Sequence, residues 1–191
     1  MSTHPLLLDY ISKLGHSVFE SGTYNLNIIG VRTRDSDSNS FNVSICVVYK
    51  DDKGWITRTW PCTTDPGLYW RENPGNVDGT AILVPGQYRG AYKIGRHRGQ
   101  YDALVQRGGP VKVYRDGNKN EVLDMDPDTE QEGFFGINIH KAGTNSSNVD
   151  KWSAGCQVFK SQDDFDSFMD ICRKQVSVNG WKTFTYTLVQ T

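Results

Sequence analysis

The sequence predicts a mainly β chain, built as a mixed sheet or sandwich with one short amino-terminal helix and one further helix near the carboxyl end. Three observations carry this. Apolar residues recur at helical spacing in only two places. Between them, short alternating or β-branched runs follow one another for more than a hundred residues. Those runs are separated by the turn dipeptides Pro85-Gly86, Gly108-Gly109 and Asp116-Gly117.

Residues 1–20 form the amino-terminal helical region, in which 5 to 20 read as one short helix. Leu7, Tyr10, Ile11 and Leu14 share a face at i, i+3, i+4, i+7 spacing, and Gly15 marks its end. Tyr24 to Val31 alternates as a strand, and Arg34 to Ser40 is a polar loop. Phe41 to Tyr49 reads as a central strand, joined through the turn 51–54 to Trp55 to Trp60 as a hairpin. Cys62 to Asp78, rich in Pro, Gly and Asn, reads as an irregular surface excursion of the kind that often carries binding. Further strands are expected at Thr80 to Val84, Tyr88 to Ile94, Ala103 to Gln106, Val111 to Arg115 and Glu121 to Leu123, the last two forming a hairpin about Asp116-Gly117. Gly133 to His140 is aromatic and β-branched. Ser161 caps a second helix, to Lys174, with Asp163 and Asp164 in its first turn and Phe165, Phe168, Met169 and Cys172 on its inner face. Phe184 to Val189 is the final strand. A chain of 191 residues with no repeat or linker is expected to make a single domain, 1–191.

A net charge of -1 gives no electrostatic footprint for nucleic acid or an anionic membrane. No stretch approaches the roughly 20 apolar residues of a membrane span, so no membrane insertion is expected. The amino terminus lacks a basic n-region and reads as no Sec signal peptide. The expectation is cytoplasmic synthesis, with association to a virion or delivery to the cell wall by lysis or secretion. The four cysteines, 46, 62, 156 and 172, make no CxxC pair and have no His cluster at zinc spacing; neither metal nor cofactor is expected. Cys46, inside an apolar run, reads as a buried inert thiol.

The most specific chemistry lies in Ile137-Asn138-Ile139-His140 and, sixteen positions after His140, Cys156 in Ser153-Ala154-Gly155-Cys156. A thiol is a poor nucleophile at neutral pH and needs a base to take its proton. His140 at a strand end is the candidate base. Cys156, ahead of a helix, is the candidate nucleophile. Gly155 lets backbone approach closely, so amides near Gly155 and Cys156 form a candidate oxyanion site. The polar loop Lys141 to Trp152 bridges the two.

These segments resemble the catalytic domain of L,D-transpeptidases, in which a strand ends in His, a variable loop follows, and a Ser/Thr-His-Gly-Cys element carries the nucleophile ahead of a helix. Gly136 to His140 matches the first part and Ser153 to Cys156 the second, with Leu83-Val84-Pro85-Gly86-Gln87-Tyr88 a looser echo of an upstream segment. The resemblance covers about 80–175, taken as the catalytic region. Ala154 stands where the family has His, and Gln157-Val158 where it has a hydrophobic residue and Arg or Asn. The resemblance implies an L,D-transpeptidase-like mixed sheet. It also implies that Cys156 attacks a peptide carbonyl beside a diaminopimelate centre in a peptidoglycan stem peptide. His140 would relay the proton, oriented by a backbone carbonyl such as that of Lys141 or by the Ser153 hydroxyl. Either an amine or water would resolve the thioester, giving a transpeptidase or an L,D-carboxypeptidase or endopeptidase, phage-borne in one setting.

The candidate substrate contacts are Tyr88, His97, Arg115, Trp152 and Gln157. For His97 the alternative is a solvated basic loop, for Arg115 a structural ion pair, and for Tyr88 and Trp152 simple packing. Two other functions stay open: a catalytically inactive module of a virion that binds a wall peptide or a protein, and a Cys-His amide hydrolase or transferase with a non-wall substrate.

Overall fold

The structure, a computed structural model, describes residues 4–33 and 39–191. Its elements run α1 (Leu6–Lys13), β1 (Asn27–Arg32), β2 (Val43–Asp51), β3 (Gly54–Thr63), α2 (Leu68–Glu72), β4 (Thr80–Leu83), β5 (Gly86–His97), β6 (Tyr101–Gln106), β7 (Val111–Asp116), β8 (Gln131–Gly133), β9 (Ile139–Lys141), β10 (Gln157–Phe159), α3 (Gln162–Asn179) and β11 (Thr183–Gln190). The chain is mainly β. Eight strands close into a barrel in the order β1-β11-β5-β6-β9-β10-β3-β2, and β4-β7-β8 make a separate small sheet. The barrel is mixed: β1 with β11 and β9 with β10 are parallel, and the other pairings are antiparallel. Closure removes the free edges that an open sheet or sandwich would leave.

The apolar run at β2 is explained by burial on both faces. Val43, Ile45, Val47 and Tyr49 enter the main core, while Cys46 and Val48 join an outer cluster with Leu8 and Ile11 of α1. The helix α1 is therefore seated through Leu8 and Ile11, a face rotated from the one the spacing suggests, with Tyr10 39% and Leu14 47% exposed. It stops at Lys13, and 14–20 is not helical. At the other end, α3 is capped by Ser161, whose Oγ accepts from the Asp164 N–H at 3.3 Å. It continues to Asn179, beyond the expected end, and buries Phe165, Phe168, Met169 and Cys172 in the main core beside Trp60 and Phe159.

The hairpin β2–β3 turns at Asp51 and Gly54 as expected. Three expectations change. The excursion 62–78 contains the helix α2, and its first residues still belong to β3. No strand forms at 121–123: β7 ends at Asp116, and its hairpin partner is β8, reached through a 3-10 turn at Pro127–Thr129. The run 133–140 is split into β8 and β9 by an irregular stretch. Residues 34–38 of the expected polar loop lie outside the described residues. Among the described residues no helix is long and apolar enough to cross a membrane.

Candidate active site

The weakest seam of the barrel positions the site. Strands β6 and β9 share the single rung Leu104↔Ile139. Gln106 mends what the ladder leaves open. Its Oε1 accepts from the amides of Phe135, Gly136 and Ile137 at 3.0, 2.9 and 3.1 Å, and its Nε2 donates to the carbonyls of Gly109 and Gly133. The Gln106 N–H donates to Asn138 Oδ1 at 2.9 Å. One side chain thus shapes the stretch 133–138 that lies beside the thiol.

The parallel register of β9 and β10 pairs Ile139 with Gln157 and His140 with Val158, so Cys156 precedes the ladder beside Asn138. Its Sγ donates to the Gly136 carbonyl at 3.5 Å and receives the Asn138 backbone N–H. Asn138 and His140, two residues apart, share a face: the Asn138 amide meets His97 Nδ1 at 3.1 Å, and the His97 and His140 rings stack. Cys156 thus lies two positions before Val158, the residue that pairs with His140.

Gly155 fixes that entry. It sits at φ +115°, and a Cβ there would lie 2.4 Å from the Ala81 carbonyl oxygen of β4, so only glycine fits. Ser153 is fully buried and braces the same turn, accepting from Gly155 N–H at 3.2 Å and donating to the Cys156 carbonyl at 2.8 Å. Its hydroxyl serves the turn and does not orient His140, and the Gly155 amide is turned to Ser153.

The Lys141 carbonyl does orient the imidazole, at 2.8 Å from His140 Nδ1. That contact places the proton on Nδ1 and leaves Nε2 as the acceptor. Tyr101 seals this side, its hydroxyl 3.3 Å from the Lys141 carbonyl and 3.4 Å from His140 Nδ1. Burial, then the charges of His97 and Arg98, push His140 down from the ordinary 6.5 to about 3, against the Lys141 hydrogen bond. Burial pushes the Cys156 thiol up to about 11, opposed by the Asn138 N–H and the Arg98 charge. The resting pair is thus neutral thiol and neutral imidazole, and Cys156 remains partly exposed. Acyl transfer from groups in these states would be general-base attack, in which the proton leaves sulfur as the sulfur bonds to carbon.

The other expected contacts divide. Arg115 is buried and lines a cavity of about 350 Å³ bounded also by Trp70, Thr80, Phe135 and Ala154. Phe135 and Ala154 are close chain neighbours of Gly136 and Cys156, so the nucleophile turn borders this cavity through Ala154. His97 lies 6% exposed against His140, neither in a solvated loop nor on the cavity wall. Gln157 points into the barrel: it is fully buried, Nε2 donates to the carbonyls of Thr64 and Gly155, and Oε1 accepts from the Tyr186 hydroxyl at 2.8 Å. Tyr88 belongs to the core, its hydroxyl donating to the Val84 carbonyl. Trp152, 44% exposed, lies over Gly143 within the bridging loop. That loop is tied to the barrel by Ala142 N–H to the Phe159 carbonyl and Ser146 N–H to the Lys160 carbonyl.

Sequence reasoning missed Tyr101, Gln106 and the side-chain role of Asn138. Only Asn138 had a local signal, its i−2 alternation with His140; the others reach the site through strand pairing. No group of acidic, Cys or His side chains able to hold a metal ion occurs among the described residues. Comparison with known proteins finds no matching family model, no significantly similar curated protein and no significantly similar solved structure.

Proposed function

We propose that the protein is a cysteine-dependent acyl-transfer enzyme of L,D-transpeptidase type acting on peptidoglycan stem peptides. The observation that supports it most is the placement of Cys156 at the entry to β10, two positions before the rung Val158↔His140, with the His140 Nδ1 held by the Lys141 carbonyl. In this reading Cys156 Sγ attacks the peptide carbonyl while His140 Nε2 takes the thiol proton. The tetrahedral intermediate collapses as His140 returns that proton to the leaving amine. Water or a second amine, deprotonated by His140, then cleaves the thioester and restores the thiol. The neutral resting pair suits this sequence, because no ion pair must be dismantled before attack. Ser153 and Gly155 act as positioning residues for the nucleophile turn, and His97, Asn138 and Tyr101 for the imidazole.

Incubation with stem tetrapeptide and pentapeptide, followed by mass spectrometry, tests the reading. The expected result is a trimmed or exchanged peptide with wild type and none with Cys156→Ala. Intact peptides in both samples contradict it. A second reading, a silent stem-peptide-binding module, is favoured by the burial that holds the thiol near 11. It predicts binding without turnover.

A further inference from the structure

Among the described residues three arginines are buried: Arg32, Arg71 and Arg115. Arg32 meets Asp65 at 2.9 Å, and Arg71 meets Asp116 at 3.9 Å. Arg115 differs. Its Nε donates to Gln131 Oε1 at 2.8 Å and its Nη1 to the Gly79 carbonyl at 3.4 Å, both neutral acceptors. Among the described residues no carboxylate lies within ion-pair distance of it. The nearest influential acid, Asp78, is engaged by Gln131 Nε2 at 3.0 Å. A buried cation normally has an anionic partner, because its desolvation is otherwise uncompensated.

The cavity that Arg115 lines shows what partner would fit. Among the described residues Arg115 is the one charged residue on its wall, and Trp70, Phe135, Thr80 and Ala154 supply apolar and small polar surface. One guanidinium matches a monoanion with a planar pair of oxygens, whereas a phosphate dianion would call for further cations. The guanidinium lies over the Phe135 ring, 4.8 Å from its centroid. Ala154, exposed and with only a methyl group, places the nucleophile turn itself on the cavity wall.

From this geometry we infer that the Arg115 cavity is a carboxylate subsite, which takes a free carboxylate of the peptide whose carbonyl Cys156 attacks. The ligand class, a stem peptide, rests on the acyl-transfer reading above. The pairing of cavity and unpaired cation does not. The subsite makes Arg115 a specificity-determining residue, selecting acidic over amidated peptides.

Binding to the Cys156→Ala protein tests it without any turnover. Calorimetry compares the stem tetrapeptide with the same peptide amidated at its carboxylates. The acid is expected to bind about tenfold or more tighter. Arg115→Gln should bring the ratio to near one, and Arg115→Lys, which keeps the charge but loses the fork, should leave an intermediate ratio. If Arg115→Gln fails to fold, the lysine variant decides: a reduced ratio supports the subsite and an unchanged one overturns it. Equal affinities of acid and amide for the Cys156→Ala protein also overturn it. Discrimination without turnover by wild type overturns the acyl-transfer reading and leaves the subsite standing. Turnover without discrimination overturns the subsite alone.

Discussion

The imidazoles of His97 and His140 lie stacked, their centroids 4.0 Å apart and their planes 23° from parallel. Two such rings cannot both carry charge in a buried place, and burial with its neighbours lowers both pKa values. His140 is therefore expected to stay neutral, protonated on Nδ1, throughout pH 4.5 to 8, read from its imidazole nitrogen shifts by NMR. An inflection near the ordinary 6.5 would contradict this. Linkage gives a second readout. The unfolded chain takes up a proton at His140 that the folded chain refuses, so the His140 contribution is fully present above 6.5 and is lost as pH falls toward about 3. Chemical denaturation across this range should show stability falling with pH, and less steeply in His140→Gln.

Cys156 makes the opposite prediction. Its thiol, raised from 9.0 to about 11, should react with iodoacetamide at a rate climbing about tenfold per pH unit from 7 to 10. A plateau near pH 6 to 7 would mean a preformed thiolate–imidazolium pair and would contradict the neutral resting state.

Gly155→Ala is expected to damage both fold and site, because the new Cβ meets the Ala81 carbonyl and the φ of +115° is strained for alanine. A cost of about 1–3 kcal/mol is expected for the strain. Thermal melting should drop by several degrees, with slower modification of Cys156 by a carbapenem. Unchanged melting and labelling would show that the turn has another geometry.

Much of this was legible in the chain and some was not. The hairpin at 51–54, the Ser161 cap and the inner face of α3 follow from local rules, since turn chemistry, capping and helical period act within a few residues. The placing of His140 in a strand and of Cys156 ahead of α3 was legible through motif order, and the role of the Lys141 carbonyl through its adjacency. Barrel closure was not, because it depends on the long-range pairing of β1 with β11 and of β3 with β10. Nor was the assignment of Gln157, whose place beside the cysteine suggests substrate contact, whereas strand alternation turns it onto Tyr186. Gln106 gave no signal, since its partners lie some thirty residues away.

Those two glutamines yield a paired prediction. Gln157→Leu leaves the buried Tyr186 hydroxyl without its acceptor and should cost about 1–3 kcal/mol. Acid-over-amide discrimination should be unaltered. Gln106→Leu strands three amides under the thiol and should cost more, with loss of Cys156 labelling. Denaturant melts and labelling rates of the two variants check the order. Selective loss of peptide discrimination in Gln157→Leu would return that residue to the binding site.

The most direct test of the central claim is intact-mass analysis after incubation with a carbapenem, whose strained amide offers Cys156 a carbonyl to attack. The protein is expected to gain one acyl adduct, absent in Cys156→Ala and slowed about 100-fold or more in His140→Ala. No adduct on the wild type, or one that persists in Cys156→Ala, would contradict a Cys156–His140 acyl-transfer site.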